Sequence, residues 1–261
     1  MFYHSIDPVL FRIGPLEVRY YGIIYVLGFI IAYFMIQHLA RKREMGLSKD
    51  DLSDLIFYEL IGVVIGARLF YVVFYNMVYY LQKPLEVFAV WHGGLSFHGG
   101  LAGAIVAAYW FSRKKKFDLL ALADIVVIPA ALALALGRIG NFLNGELVGR
   151  ITTVPWAVQF QGYEGFRHPS QLYESAKNFI IFGVLWYLKE KKLPKGMLFW
   201  TFTLLYSVLR FFIEFVREPD SQLGFIVFNL TMGQLLNVAM LIVALFFIFN
   251  LYKKSAKIQT A

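Results

Sequence analysis

The sequence predicts an all-α integral membrane protein with seven transmembrane helices, the N-terminus outside and the C-terminus in the cytoplasm. Three observations carry that expectation. Apolar runs of roughly membrane-spanning length recur seven times. Basic residues gather in the short connections that follow alternate runs. The chain of 261 residues is 59% hydrophobic and only 16% charged, against about 25% charged in an ordinary soluble domain.

A helix needs about 20 mostly apolar residues to cross the hydrocarbon core. Taken in order, the runs cover residues 20–40, 55–80, 95–111, 119–142, 170–188, 197–216 and 231–251. The third is short. If it holds only residues 97–111 it rises about 23 Å at about 1.5 Å per residue, less than the core, so its polar beginning either extends it or lies at membrane depth. The connection 81–96 contains Pro84, Trp91, Gly93 and Gly94 and reads as an interfacial segment. The stretch 143–169 is the longest polar one, with Thr, Val and Trp runs suited to short strands. It reads as a small outward-facing head inserted into a single polytopic domain that spans 1–261.

Orientation follows from the connections. Clusters at Arg41, Lys42, Arg43 and Lys49, at 113–116, at 189–195 and at Lys253, Lys254 and Lys257 hold fifteen of the 25 Lys+Arg. They follow runs one, three, five and seven, so seven spans put all of them on one side, which the positive-inside rule makes cytoplasmic. The net charge of +8 is thereby explained by membrane orientation rather than by nucleic acid, which is not an expected partner. Cysteine is absent, which removes disulfides, thiolate metal sites and a cysteine nucleophile belonging to the chain itself. The N-terminus lacks a basic segment followed by an apolar core, so no cleavable signal peptide is expected there.

Ionisable groups inside spans are costly and mark sites. Arg68 falls in run two, Arg138 near the outward end of run four, and Arg210, Glu214 and Arg217 at the outward end of run six; His98 and Tyr21 begin runs three and one from outside. Five helices therefore bring polar groups to the outer half of the membrane. At about 100° per residue, Tyr206, Arg210, Glu214 and Arg217 fall at about 0°, 40°, 80° and 20°, on one helix face. The plainer reading is that Glu214 neutralises one arginine inside the bundle. One carboxylate cannot balance four arginines even with Glu146 helping, and the phosphate of a phospholipid is the obvious anion at that depth.

Two stretches are densest in such groups. Residues 137–149, GRIGNFLNGELVG, combine the forked donor Arg138 with the amides of Asn141 and Asn144, and glycines that permit close backbone approach. Read plainly, this is a glycine-punctuated helix exit. Residues 91–100, WHGGLSFHGG, offer His98 as a group able to take a proton near neutral pH; the plainer reading is a hydrogen-bonded interfacial histidine. His92 reads as interfacial, His4 and His38 as solvated or facing headgroups, and His168 as positioning the helix start at Pro169 and Ser170.

The block 137–149 is similar to the signature of the prolipoprotein diacylglyceryl transferases. Further blocks of the same family resemble YYG at 20–22, GAR at 66–68, LSFHGGL at 95–101, HPSQLYE at 168–174 and RFFIE at 210–214. They fall in family order and touch all seven runs, so the resemblance covers essentially the whole chain. It implies a plasma (inner) membrane enzyme, multi-pass, with its site in the extracytoplasmic half. The implied reaction moves the diacylglyceryl group of phosphatidylglycerol to the lipobox cysteine of a prolipoprotein signal peptide. A thioether forms, glycerol phosphate leaves, and no metal or other cofactor takes part.

The resemblance carries catalytic roles to His98, Arg138, Tyr206 and Arg210, and substrate-binding roles to Tyr21, Arg68, Gly99, Asn141, Asn144, Glu146, Gly149, Glu214 and Arg217. The chemistry suits these groups. A thiol of pKa about 8.5 must ionise to attack carbon, and a departing phosphate gains charge that arginines stabilise in the transition state. Whether His98 or an arginine-centred network activates the thiol stays open at this level. A CDP-alcohol phosphatidyltransferase would carry a dense aspartate motif, and the seven aspartates here form none. A transporter would show paired repeats and broken helices near the midplane.

The basic clusters generate a topological expectation. Reporter fusions after residues 43, 116, 192 and 257 read cytoplasmic, and fusions near residues 90, 155 and 222 read external. Any two swapped results would overturn the seven-span arrangement.

Overall fold

The computed structural model describes residues 1–14, 16–90, 93–218, 225–227 and 230–259. In chain order the elements are β1 (Phe2–Tyr3), β2 (Val9–Ile13), β3 (Leu16–Arg19), α1 (Tyr20–Lys42), α2 (Lys49–Phe74), α3 (Met77–Gln82), a 3-10 turn at Pro84–Phe88, α4 (Phe97–Lys115) and α5 (Leu119–Leu143). There follow β4 (Val158–Gln159), β5 (Phe166–Arg167), α6 (Ser170–Leu188), α7 (Met197–Ile213), β6 (Phe225–Val227), β7 (Leu230–Thr231) and α8 (Met232–Gln259). Among the described residues, seven helices of 17 to 28 residues overlap the seven apolar runs. Of these, α1, α2, α5 and α8 are long and apolar enough to cross a membrane, and α7 is apolar but shorter. The chain is a mostly helical, multi-pass membrane protein.

Besides the helices, the described residues hold seven short strands. Two of them, β4 and β5, lie in the expected head, where β1 joins them in a three-stranded sheet, parallel to β4. The hairpins β2–β3 and β6–β7 were not foreseen. Helix bounds also shift. The second helix starts at Lys49, upstream of its apolar run, because Ser48 and Asp51 form a reciprocal capping box that satisfies orphan N–H groups at the start. It stops at Phe74, where the expected run continued to 80.

Contacts within the chain define two compact units, residues 36–122 and residues 1–35 with 123–261. In the first, α2 and α4 run antiparallel. Gly62 and Gly66 on one face Gly99 and Gly103 on the other, each pair four residues apart. A Cβ on any of the four would collide with the facing backbone; on Gly62 it would lie 2.7 Å from the Gly103 carbonyl oxygen. Small residues spaced in this way let helices associate by direct backbone contact in lipid. At the far end of this pair Lys115 bridges Asp51 (2.7 Å) and Asp54 (2.9 Å).

In the second unit α5, α6, α7 and α8 bury Ile125, Ile128, Ala131, Ala135, Ile181, Leu185, Leu198 and Ala244 completely. The buried Asp124 of α5 accepts hydrogen bonds from the backbone N–H groups of Gly196 (2.8 Å) and Phe199 (2.9 Å). It thus caps α7 from a neighbouring helix. Ser175 Oγ donates to the Ala135 carbonyl at 2.9 Å, and Trp200 of α7 stacks on Phe247 of α8 at 4.3 Å. The head is fastened by His4, which is buried rather than solvated. Its Nε2 lies 2.7 Å from the Phe142 carbonyl oxygen, and its ring packs between Phe142 and Phe160.

The glycine contact gives a direct test. Gly66→Val or Gly103→Val lowers thermal stability in detergent by about 1–3 kcal/mol, the range for overpacking. Gly183→Ala, at an open position on α6, is neutral or slightly stabilising because alanine favours helix. Equal melting temperatures for all three variants would remove the close-packing account.

Candidate active site

The exit of α5 turns its polar groups toward one another. Arg138 donates to Asn141 Oδ1 at 3.4 Å, Asn141 Nδ2 donates to Glu146 Oε1 at 2.7 Å, and Asn144 Nδ2 reaches the same oxygen at 3.4 Å. The turn is held from α6, where Gln171 Nε2 donates to the Glu146 backbone carbonyl (2.7 Å) and Ser170 Oγ to that of Leu147 (3.0 Å). Gly145 and Leu147 have positive φ, which lets the chain double back and return Glu146 to the helix end. Tyr21 comes from α1: a Cβ on Gly140 would lie 2.9 Å from the Tyr21 ring, and the Tyr21 hydroxyl pairs with that of Tyr25 at 2.8 Å. Asn144 Oδ1 and Gln171 Oε1 are buried acceptors that receive no hydrogen bond from the described residues.

Beside this turn lies an ion network between α6 and α7. Glu174 Oε2 pairs with Lys177 Nζ at 2.7 Å, and Glu174 Oε1 lies 3.1 Å from Arg210 Nε. Arg210 also pairs with Glu214, whose Oε1 accepts from Thr231 Oγ1 at 3.0 Å. The Lys177 ammonium lies 3.8 Å from the centroid of the Tyr206 ring. Arg138 belongs to the same field, since its charge acts on Glu174 and Lys177 alike.

Arg217 does not sit on the helix face expected for it. The helix α7 ends at Ile213 with Glu214 as its cap, and Arg217 follows in extended backbone paired with Gly149. Gly149 donates its N–H to the His168 carbonyl (3.0 Å), and Arg150 donates to Val216 (2.9 Å). A Cβ on Gly149 would lie 2.6 Å from the Val216 carbonyl oxygen and 2.7 Å from that of His168. Three chain segments therefore cross here backbone to backbone. That gives Gly149 a structural reason of its own: the crossing carries Arg217 back to the cluster. Arg217 is half-buried, with the cationic Arg210 and Arg138 as its neighbours. Arginine remains protonated, so the site holds a crowded positive charge that an anion would relieve.

In the unit 36–122 two of the expected site residues have structural contacts of their own. Arg68 is buried, and its five N–H donors reach five backbone carbonyls, those of Glu86, Val87, Ala89, Gly93 and Gly94. A guanidinium has five such donors, so Arg68 folds the segment after α3 and keeps none for a phosphate. Gly99 lies in the α2–α4 backbone contact. His98 is the second residue of α4 and is exposed. His92 lies outside the described residues.

Sequence reasoning passed over Glu174 and Lys177 as site residues. A signal was present: Gln171, Glu174, Ser175 and Asn178 repeat at helical spacing, and with Lys177 they form the buried polar side of α6. In a membrane segment, such a stripe marks a face turned to other polar groups. His168 behaves as expected. Its carbonyl accepts from Ser170 N–H (2.8 Å) and its Nδ1 pairs with the Tyr173 hydroxyl (3.1 Å), while burial holds its imidazole pKa below the usual value.

Comparison with known proteins bears on this arrangement. The family model for prolipoprotein diacylglyceryl transferase matches residues 8–250. A phosphatidylglycerol–prolipoprotein diacylglyceryl transferase of Geobacter sulfurreducens is 49% identical over 247 residues, covering 94% of this chain and 95% of the relative. Proteins of the same name from Chromohalobacter salexigens (48% identical; 91% of this chain, 90% of the relative) and Aeromonas hydrophila (45% identical; 97% and 93%) are similar over almost their full lengths. The stretches that build the cluster, at 137–149, 168–177 and 206–217, all fall inside the matched region, and the chain belongs to the prolipoprotein diacylglyceryl transferase family.

Proposed function

We propose that this chain transfers the diacylglyceryl group of phosphatidylglycerol to the lipobox cysteine of a prolipoprotein signal peptide, the first step of lipoprotein maturation. The supporting observation is the cation-rich cluster of the half-buried Arg138, Arg210 and Arg217 with the buried Lys177, in contact with a polar turn. In the reaction the cysteine sulfur bonds the glycerol carbon that carries the phosphate. The carbon–oxygen bond breaks, its electron pair leaves with the phosphate oxygen, and glycerol phosphate departs. Arg138 and Arg210 take the phosphate oxygens and gain most as charge collects on the leaving group. The Asn144 and Gln171 carbonyl oxygens accept from the hydroxyls of the glycerol headgroup. Tyr206, Tyr21, Asn141, Glu146, Glu214 and Arg217 orient this set.

The thiol proton goes to His98 or to an arginine-centred network. The placing that goes with this reading is a single polytopic domain in the plasma membrane, with seven spans and residues 143–169 as an external head. The cluster then lies in the outer half of the bilayer, where a secreted signal peptide and an outer-leaflet lipid can meet.

Replacing Arg138 or Arg210 with Gln abolishes or severely cuts transfer from phosphatidylglycerol to a lipobox peptide while membrane insertion persists. Lys rescues either poorly, because an ammonium lacks the planar fork. Near-normal turnover of both Lys variants would exclude bidentate phosphate recognition.

His98 is tested by its Asn variant. As a base, its loss lowers the rate by about a hundredfold or more, and a thiol already ionised at high pH recovers part of that. As a lipid-positioning hydrogen-bond donor, its loss shows mainly in apparent lipid affinity. A His98→Ala enzyme with wild-type rate at neutral pH and low phosphatidylglycerol would sink both versions.

A further inference from the structure

Arg210 stands between two carboxylates, those of Glu174 and Glu214. Taken alone, that grouping is negative by one charge, and an arginine so enclosed attracts a further anion weakly. Lys177 changes the balance. It occupies the Glu174 oxygen that Arg210 leaves free, and both members of the pair are only 2% exposed. The same ammonium lies on the Tyr206 ring, in the arrangement of a desolvated cation–π contact. A lysine is costly to enclose, and an apolar side chain of similar shape would avoid that cost. Its position nevertheless joins Glu174, Arg210 and Tyr206.

We infer that Lys177 is a positioning residue for the anionic lipid: by neutralising Glu174 it leaves Arg210 with positive charge to offer the phosphate, and by covering the Tyr206 ring it fixes that phenol beside Arg210. With Lys177 the cluster sets four cations, Arg138, Lys177, Arg210 and Arg217, against Glu146, Glu174 and Glu214. Without it the two signs cancel, and the lipid phosphate meets a neutral site. This inference rests on the transferase reading and deepens it, since it names what sets the affinity for an anionic headgroup.

The test uses the full chain in vesicles of phosphatidylglycerol and phosphatidylethanolamine with a lipobox peptide, alongside direct phosphatidylglycerol binding in detergent. Wild-type transfer is measured first. A wild type that forms no thioether-linked lipid counts against the transferase reading, whereas the Lys177 variants are judged by binding as well as turnover. Lys177→Met raises KM and Kd for phosphatidylglycerol tenfold or more, with kcat changed less than threefold and phosphatidylethanolamine binding little altered. Lys177→Arg restores most of the affinity. In the double variant Glu174→Gln, Lys177→Met no buried charge is left unpaired, and KM returns to within about threefold of wild type. A merely structural lysine would not give that split or that recovery. A Lys177→Met KM within twofold of wild type, or a double variant as poor as the single, would overturn the proposal. If Lys177→Met does not fold, the double variant decides by the same threefold and tenfold limits.

Discussion

A carboxylate shared by two cations, beyond the reach of water, is the constraint on which the rest of the helical unit 1–35 and 123–261 depends. Glu174 binds Lys177 on its own helix and Arg210 on the next. Arg210 reaches on to Glu214, and Glu214 to Thr231 at the start of α8. Removing one member of such a chain strands a buried charge, which costs about 3–5 kcal/mol. The neighbours are shaped accordingly. Gly233 has no side chain because a Cβ there would lie 2.9 Å from Glu214 Oε1, and Ser175 satisfies its hydroxyl on α5 so that α6 keeps its acidic side turned inward.

What could be read from the residues, and what could not, follows from the range of the physics involved. Apolar runs and capping groups act locally, so α6 begins and ends where its hydropathy does, at Ser170 and Leu188, and α5 within one residue of expectation. Long-range partners leave no such mark. Arg68 looks like any arginine in a span, and only the folded chain reveals that the carbonyls of Glu86, Val87, Ala89, Gly93 and Gly94 surround its guanidinium. Gly99 sits beside a histidine and reads as active-site space, yet Gly62 and Gly66, more than thirty residues earlier, explain it. His4 lies in a polar N-terminal stretch, and its burial depends on Phe142 and Phe160. Lys177 escaped because lysine is common near charged helix ends, whereas here both it and its partner are enclosed.

The head serves the cluster rather than standing apart from it. The strands β1, β4 and β5 carry few residues, but the crossing at Gly149 ties the α7 exit to the loop that leaves α5 and to the segment entering α6. Arg217 therefore approaches Arg210 and Arg138 by a route independent of helical periodicity. Flexible loops would have let these like charges drift apart. Backbone hydrogen bonds hold the segment that carries Arg217 in place.

Asp124 has a metric consequence. It fastens Gly196, the residue before α7, to α5, and Arg138 lies fourteen residues beyond Asp124 just as Arg210 lies fourteen beyond Gly196. At about 1.5 Å per residue both guanidinium-bearing positions stand about 21 Å above this common origin. Glu174 then meets Arg210 at 3.1 Å at the far end of the α7 stretch so measured. A slip of one residue in either would displace its arginine by about 1.5 Å along the axis and about 100° around it. Errors of that size can cost a hundredfold in a reaction that depends on alignment. The height at which Arg210 stands on α7 is thus set from the opposite end of that helix.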